Sequence, residues 1–309
     1  MRNMDTVRVH APATVSNVVC GFDCLGFALE KPFDEIAVKQ IPEGEIRIIH
    51  HDDYGLPTDP TRNVAGVALR SMLDAIGADF GLEVEITKNI KPGSGIGSSS
   101  ASSCGAVVAA DELLKTNFSK LQLADFAMNG EMLASGALHA DNVAPCIFGG
   151  FTLVRSSEPL DIVELAYPKL FAVVIHPQIE IKTSEARAIL PADVPLAAAI
   201  KQWSNLGSLV GALAKGDLPL LARSLEDVIV EPVRKRLIPR FDELKEASLD
   251  AGALGGGISG SGPSVFMLAE TEGTARGIAE AMTGVYADSG IDFNVHVSSI
   301  VGDGVRVIE

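Results

Sequence analysis

The sequence predicts a mixed fold of helices and strands arranged in two domains. The chain has 309 residues, 47% hydrophobic and 21% charged, so it can bury a large core and is long enough for two domains. Short segments of alternating apolar and polar residues, typical of strands, are interspersed with longer segments of helical periodicity. Residues 156–168, which contain two serines and two prolines, have the composition of a connector. We therefore expect domains at 1–160 and 161–309.

The chain begins with a predicted strand at residues 6–10, followed at 11–26 by a predicted loop of small residues. Asp23 is the only charged residue of that stretch. A lone carboxylate among apolar residues is costly to bury unless it has a partner or a ligand. An aspartate that bonds its own backbone in a turn is the alternative, but the nearby Asn17 favours a ligand-binding loop.

Two further strands are predicted at 33–40 and 45–50, joined as a hairpin by the turn at 42–44. The end of the second strand carries four potential metal ligands: His50, His51, Asp52 and Asp53. Glycine and proline follow closely, which favours a solvated loop over a metal site. An amphipathic helix is predicted at 63–76 and ends at Gly77.

A segment rich in glycine and serine at residues 91–102 lies between a predicted strand at 82–88 and a predicted helix at 98–114. Glycine leaves backbone N–H groups accessible, and a helix start adds unpaired N–H groups and the positive end of the helix dipole. This arrangement predicts an anion site, usually for phosphate. The segment lacks the Lys-Ser or Lys-Thr of a Walker A loop and does not fit the dinucleotide fingerprint. A tight turn under a small-residue helix is the alternative.

Polar residues interrupt the apolar sequence that follows. Glu131 lies near the end of a helix predicted at 120–133, and Ser119 with Gln122 forms a capping box at its start. The next loop brings three polar residues close together: His139, Asp141 and Asn142. We interpret this cluster as a functional site, with a buried structural network as the alternative.

The second half of the chain contains a second glycine-rich stretch, at residues 252–264. It is bounded by apolar segments and is not of low complexity, so we expect it to approach the first glycine segment or its ligand. Arg187 and the basic segment at 234–236 stand out in an acidic chain. Further strands are predicted at 151–155, 162–165, 171–175, 265–268, 293–297 and 305–308. Further helices are predicted at 184–190, 196–215, 219–227, 239–251 and 274–286.

The overall charge restricts the possible partners. The formal net charge is −15 and the pI about 4.8, which argues against nucleic-acid or membrane partners because both need a basic face. No signal peptide or apolar run of transmembrane length is visible, so we expect a cytoplasmic protein. The cysteines lack the paired spacing of zinc sites and predict reduced, mostly buried thiols: Cys20, Cys24, Cys104 and Cys146.

Three stretches, at residues 12–26, 92–102 and 257–264, resemble in order and spacing the GHMP kinases (galactokinase, homoserine, mevalonate and phosphomevalonate kinases). The resemblance covers essentially the whole chain, and residues 139–142 and 231–239 resemble the homoserine kinase branch. It implies an α+β fold with a ribosomal S5 domain 2-like N-terminal domain and a ferredoxin-like C-terminal domain. The active site would lie in the cleft between them, and the protein would form a homodimer.

The resemblance also implies ligands and the residues that bind them. The reaction would phosphorylate the side-chain hydroxyl of L-homoserine with ATP and Mg²⁺, in threonine biosynthesis. Mg²⁺ would be held by Ser99 and Glu131, whose oxygen atoms suit a hard ion. Residues expected to bind ATP are Asn63, Lys88, Pro92, Gly93, Ser94, Gly95, Ile96, Gly97, Ser98, Ser99, Ser100, Ala101, Ser102, Gly260 and Ser261. Residues expected to bind homoserine are Asn17, Asp23, His139, Asn142, Arg187 and Arg234. The guanidinium groups suit its carboxylate, and Arg236 is an alternative to Arg234.

The catalytic residues implied are Asp23, Asn142 and Glu131. Asn142 stands where mevalonate kinases have an aspartate base, and asparagine cannot accept a proton. The reaction would then rest on in-line positioning and charge stabilisation, with the γ-phosphate receiving the proton. Asp23 or Asp141 remains a possible base. A kinase of another small alcohol, such as shikimate or mevalonate, and a catalytically inactive sensor are the alternatives.

Overall fold

The computed structural model describes residues 6–42, 44–136 and 138–308. The strands are β1 (Thr6–Val18), β2 (Gly21–Ile41), β3 (Ile46–His50), β4 (Gly81–Thr87), β5 (Phe151–Ser157), β6 (Leu160–Leu165), β7 (Phe171–Pro177), β8 (Gly255–Ile258), β9 (Val265–Ala269), β10 (Phe293–Ser299) and β11 (Arg306–Val307). The helices are α1 (Val64–Ile76), α2 (Ser98–Leu114), α3 (Lys120–Ser135), α4 (Val143–Phe148), α5 (Thr183–Ala188), α6 (Leu196–Lys215), α7 (Leu218–Ser224), α8 (Glu231–Arg234), α9 (Phe241–Asp250) and α10 (Glu272–Ala287). Residues Lys235–Leu237 form a short 3₁₀ helix.

The N-terminal domain is a seven-stranded sheet with strand order β11-β1-β2-β4-β3, extended by β5 on β2 and β6 on β5. Helix α2 lies on β1 and β2, and α1 and α3 pack beside it. The close approach of α2 to the sheet needs a small residue at position 105, because a Cβ on Gly105 would lie 2.3 Å from Ile36 Cδ1. The narrow face of small residues therefore places the start of α2 directly above the first two strands.

Two sequence predictions for this domain are wrong. Residues 11–26 form the second part of β1, the turn after it and the start of β2, because small apolar residues there are buried on both faces and give no alternating pattern. Strand β3 forms no hairpin with β2; it pairs in parallel with β4, through the crossover helix α1. Parallel neighbours need such a crossover. Glu43, in the predicted turn, lies outside the described residues.

The C-terminal domain is an antiparallel four-stranded sheet with order β10-β7-β9-β8. Helices α5 to α9 lie between β7 and β8 in the chain, and α10 connects β9 to β10, which gives the expected ferredoxin-like connectivity. A second hydrophobic core fills the space between this sheet and helices α9 and α10.

Sheet membership divides the chain differently from the predicted boundary after residue 160. Strand β6 (Leu160–Leu165) pairs with β5 in the first sheet. Near the C-terminus, β11 returns to the same sheet and pairs with β1, with Val307 opposite Val9. The predicted division assigned both strands to the second domain.

The four cysteines are free thiols, as predicted, and all but the half-buried Cys24 are buried. Burial raises the pKa of Cys20 to about 12 and that of Cys24 to about 11. No helix in the described ranges combines the length and apolar character needed to cross a membrane.

Candidate functional site

A cavity of about 370 Å³ lies between the two domains and collects most of the predicted site residues. The predicted residues that line it are Asn17, Asp23, Asn63, Lys88, Pro92, Gly93, Gly95, Gly97, Ser98, Ser99, Ser102, Glu131, His139, Asn142, Arg187, Arg234, Gly260 and Ser261. Four residues predicted to bind ATP are instead buried outside this lining: Ser94, Ile96, Ser100 and Ala101. The site residues therefore come from both domains.

The first glycine segment adopts a conformation that favours glycine at three alternate positions. Gly93, Gly95 and Gly97 have φ of +74°, +83° and +70°. Gly97 is the N-cap of α2, and a Cβ there would lie 2.1 Å from Thr14 Oγ1. The sharp turn thus brings the N-terminus of α2 against strand β1 at the cavity wall.

The second glycine stretch closes over the first, which confirms the predicted close approach. Ser259 Oγ donates to Gly95 O at 2.7 Å, and Ser264 Oγ donates to Ser94 O at 2.6 Å. A Cβ on Gly95 would lie 2.7 Å from Gly262 O. These contacts join the two domains through backbone groups at the centre of the cleft.

Lys88 lies at the cavity wall, but its ammonium is bound within the protein. It forms a buried ion pair with Asp34 and donates to Ser98 O at 2.6 Å and Ser102 Oγ at 3.0 Å. Burial raises the pKa of Asp34, and the Lys88 charge opposes that shift. Lys88 therefore holds the first turn of α2 against the end of β4.

Asn63 also has a structural function at the wall. Its side chain caps α1 by accepting from Ala65 N at 3.0 Å, and it donates to Pro57 O at 2.7 Å. That Asn63 and Lys88 also contact ATP remains a prediction.

Ser99 and Glu131 meet across the cavity, with Ser99 Oγ donating to Glu131 Oε2 at 3.1 Å. Burial raises the pKa of Glu131 to about 7; hydrogen bonds from Ser99 and Ser100 oppose the shift, and the Asp141 charge adds to it. A carboxylate in this position is stabilised by any cation that binds beside it.

The amide of Asn142 is held between two hydroxyl groups of β1. Thr14 Oγ1 donates to Asn142 Oδ1 at 2.8 Å, and Asn142 Nδ2 donates to Ser16 Oγ at 2.9 Å. The neighbouring Asp141 is buried, and burial together with the Asp23 charge raises its pKa. Ser16 and Asp141 both line the cavity; Asp141 belongs to the polar cluster predicted as a functional site, whereas Ser16 was not predicted.

Opposite charges meet at one end of the cavity. Arg187 Nη2 donates to both carboxylate oxygens of Asp23, at 2.8 and 3.0 Å, and His139 Nδ1 lies 3.8 Å from Asp23 Oδ1. The guanidinium carbons of Arg187 and Arg234 lie 5.4 and 4.9 Å from the centre of the Phe22 ring. This end of the cavity can bind a group that carries both charges.

Arg234, and not Arg236, lies at this end. Arg234 is buried, and it donates through Nε to Ala186 O at 2.9 Å and through Nη1 to Gly260 O at 3.3 Å. Burial and the nearby Arg187 lower its pKa. Arg236 is exposed and donates to Val233 O.

Asn17 connects the charged end of the cavity with the second glycine stretch. With φ of +56°, it accepts from Asp23 N at 2.7 Å through Oδ1 and donates to Gly260 O at 2.7 Å through Nδ2. Its side chain therefore holds the turn of Asp23 against the second glycine stretch.

Several lining residues gave no usable signal in the sequence. They are His50, Leu56, Pro57, Arg62, Val64, Ala134, Ile181 and Thr183. The predicted solvated loop is only partly correct: His51 and Asp53 are exposed, but the side chains of His50 and Asp52 are 8% and 7% exposed and lie 3.3 Å apart. Among the residues described, no group of three or more His, Cys, Asp or Glu side chains is placed to hold a metal ion.

Comparison with known proteins gives a consistent assignment. Residues 63–150 match the family model for the GHMP kinases N terminal domain, and residues 209–288 match that for the GHMP kinases C terminal. A curated homoserine kinase of Chloroherpeton thalassium is 41% identical over 319 residues, covering 99% of this chain and 100% of the relative. One of Pyrococcus abyssi is 39% identical, covering 92% and 94%.

Solved structures agree with these matches. A crystal structure of homoserine kinase from Cytophaga hutchinsonii has a TM-score of 0.95 and 46% identity, and covers 100% of this chain and 99% of its own. Mevalonate kinase from L. major, at 16% identity and a TM-score of 0.73 over 95% of each chain, shares the fold.

Proposed function

Because the chain belongs to the GHMP kinase family, we propose that it is a homoserine kinase, which transfers the γ-phosphoryl group of ATP to the side-chain hydroxyl of L-homoserine. The observation that carries the proposal is the ion pair of Asp23 and Arg187, with Arg234 beside it, at one end of a cavity that also contains the glycine segment.

An amino acid head group is complementary to this ion pair. Its ammonium can replace Arg187 as the partner of Asp23, while its carboxylate binds Arg187 and Arg234. Mevalonate and shikimate carry a carboxylate but no ammonium. Either carboxylate would bind Arg187 and leave the Asp23 carboxylate without a cation. A buried charge that loses its partner costs roughly 1–3 kcal/mol, and solvent lowers this cost here because the Arg187 and Asp23 side chains are 42% and 31% exposed. This difference favours an amino acid substrate.

The phosphate end is provided by the first glycine segment and the start of α2. Backbone N–H groups at positions 93–99 bind the ATP phosphates, with the helix dipole favouring their negative charge. Gly260 and Ser261 cover the same end from the second domain, where Gly260 N donates to Ser16 O at 3.2 Å. The nucleotide is thus bound where the two domains are joined.

Ser99 and Glu131 fit Mg²⁺ through their donor chemistry, a hydroxyl and a carboxylate oxygen 3.1 Å apart. Burial holds the Glu131 carboxyl partly protonated near neutral pH, with a pKa of about 7, so a cation there would favour its charged form. When bound, the ion neutralises charge on the phosphate oxygens. Ser99 lies at the start of α2 and Glu131 lies on α3, so both side-chain oxygens are at the phosphate end of the cavity.

Asn142 positions groups and cannot take the proton of the alcohol. Its amide is hydrogen-bonded to Thr14 and Ser16, and it fixes the wall between the two ends of the cavity. The substrate oxygen is aligned with the γ-phosphorus, and the transferring phosphoryl group receives the proton, as suits a loose transition state.

The substitution Asp23→Asn tests whether Asp23 binds the substrate or acts as the base. We expect the KM for homoserine to rise; a collapse in turnover with KM unchanged would contradict this binding function and favour Asp23 as base.

The test is release of ADP, measured in a coupled assay with L-homoserine, L-threonine, shikimate and mevalonate side by side. We expect the highest kcat/KM with L-homoserine. A higher value with shikimate or mevalonate favours the alternative kinase, and no ADP with any of the four supports an inactive sensor.

The proposal includes a cytoplasmic homodimer that acts in threonine biosynthesis. The dimer is supported by helix α6, where Leu196, Ile200 and Trp203 are 68%, 46% and 56% exposed on one face. Gly207 and Gly211 continue this face, with open space around each Cβ position. In an antiparallel pair of α6 helices, the large residues of one copy would pack on the glycines of the other. Sedimentation of Trp203→Lys tests this, since loss of the dimer is expected and an unchanged mass would contradict the α6 interface.

A further inference from the structure

The first glycine segment also borders a second cavity, of about 270 Å³, on its other side. Gly93, Gly95 and Gly97 line the cavity described above, whereas Lys91, Ser94 and Ile96 line the second one. The same short segment therefore separates two cavities.

The opposite wall comes from the sheet of the C-terminal domain. Alternate residues of β7 and β10 pack into the second core, including Ile175 and Val295. The residues between them face the other way and line the cavity: His176 and Asn294, which are direct cross-strand neighbours, and His296. Strand alternation thus leaves a polar surface opposite the glycine segment.

The lining has positive and neutral donors and, among its described residues, no aspartate or glutamate. The lining residues are Tyr54, Asn89, Ile90, Lys91, Ser94, Ile96, His176, Gln178, Asn294 and His296. Lys91 donates one hydrogen bond to Gln178 and keeps further N–H groups for a ligand. This is a positive site within a chain of net charge −15.

A buried hydroxyl and two imidazoles add to this donor set. Ser94 is 1% exposed, and its Oγ has no hydrogen-bond partner among the described residues. Burial, with the charges of Lys91 and His296, lowers the pKa of His176 to about 4, and burial lowers that of His296. Both imidazoles are neutral at pH 7, and each can donate one N–H group.

We propose that this second cavity binds a small oxyanion, a carboxylate or a phosphate, through Lys91, Ser94 and the β10 residues Asn294 and His296. Lys91 supplies the positive charge, and the hydroxyl, amide and imidazole supply neutral donors. A metal cation is disfavoured because the lysine occupies the site and no carboxylate faces it.

Binding there is coupled to nucleotide binding, a consequence that rests on the proposed function. One segment forms a wall of both cavities, so an anion behind it changes the conformations open to the residues that bind phosphate in front. By linkage, the nucleotide then changes the affinity for the anion by the same factor.

The test follows the imidazole signals of His176 and His296 by NMR at pH 6 in the full-length protein. Inorganic phosphate and acetate are titrated separately, and His296→Asn assigns the signals. We expect saturating shifts of both imidazole signals with at least one probe; the probe that saturates at lower concentration identifies the source. His50 and His139, at the first cavity, report any phosphate bound there.

Two lysine variants decide the outcome. Lys91→Met should weaken the saturating response roughly tenfold or more, while Lys215→Met, at the exposed end of α6, should leave it unchanged. Shifts that grow linearly with both probes, or the same response in Lys91→Met, overturn the site. ADP affinity is measured by calorimetry with and without the probe that saturates, in wild type and in Lys91→Met, so that any competition at the first cavity is common to both proteins. A saturating imidazole response with the same change in ADP affinity in both proteins overturns the coupling and leaves the site.

Discussion

Replacing Gly95 with alanine will weaken the junction between the two glycine-rich segments, and Gly93 provides a matched control. Both glycines have positive φ, +83° and +74°. A side chain in the left-handed region costs roughly 1–2 kcal/mol, and Gly→Ala regains about 0.4–1 kcal/mol by restricting the unfolded chain. These two effects are common to both variants, so they cancel in the comparison.

The difference comes from the space around the new Cβ. At Gly93 nothing lies within 4 Å, whereas at Gly95 the oxygens of Gly262 and Ser259 lie 2.7 and 2.8 Å away. Both are backbone atoms, so the segments must separate; overpacking costs roughly 1–3 kcal/mol. The hydrogen bond from Ser259 Oγ to Gly95 O, worth about 1 kcal/mol, is then weakened. We expect Gly95→Ala to be less stable than Gly93→Ala by about 1–4 kcal/mol.

The assay is urea unfolding followed by circular dichroism, with Ser259→Ala introduced into each background. Removing the Ser259 hydroxyl should cost about 1 kcal/mol in wild type and in Gly93→Ala, and much less in Gly95→Ala. Equal destabilisation by the two alanine variants, or an equal cost of Ser259→Ala in all three backgrounds, would refute the contact between the segments.

Three further predictions concern charged residues. Lys88→Met leaves Asp34 buried without its cation and should lower the free energy of unfolding by roughly 3–5 kcal/mol in urea titrations. Arg187→Met removes one of the two groups proposed to bind the substrate carboxylate and should raise the KM for homoserine roughly ten- to a hundredfold with little change in the KM for ATP. Burial raises the pKa of Glu131 from 4.5 in the unfolded chain to about 7 in the folded protein. As the pH rises from 4.5 to 7, the unfolded chain loses this proton more readily than the folded protein, so the free energy of unfolding falls. Glutamine does not titrate, so the free energy of unfolding of Glu131→Gln relative to wild type should be about 2–3 kcal/mol higher at pH 8 than at pH 5. Urea unfolding at both pH values measures this difference.

Each of these predictions has a control. Asp34→Asn combined with Lys88→Met should recover stability, and a double variant no better than the single would contradict an uncompensated charge. Arg236→Met should leave the homoserine KM within about twofold; a larger effect there than in Arg187→Met would show that the wrong arginine was chosen. For Glu131→Gln, a stability gain that does not change with pH would contradict the raised pKa.

Local sequence patterns were sufficient where a structure depends on nearby residues. The capping box of Ser119 and Gln122 predicted the start of α3, and alternation predicted β4. The glycines at 93, 95 and 97 predicted a turn that requires positive φ. These features depend on residues within a few positions of each other, so the chain carries the whole signal.

Long-range packing carried no comparable signal. Residues 11–26 were predicted as a loop because their small side chains conceal the strand pattern, and the burial that makes them strands comes from α2 and α4. The same limit applies to Lys88, which was predicted to bind ATP because the sequence alone does not show that Asp34, 54 positions away, lies beside it.

The ion pair of Lys88 with Asp34 also helps to explain how an acidic chain could bind an anionic nucleotide. The charge of Lys88 is neutralised by Asp34, so in the proposed function the phosphate end relies on backbone N–H groups, which do not alter the net charge of −15. At the other end lies Arg187 beside Asp23, where in the proposed function it selects a carboxylate. We propose that this separation keeps Arg187 and Arg234 from competing for the phosphates. It follows that neutralising Arg187 should affect homoserine alone, whereas distorting Gly95 should affect ATP.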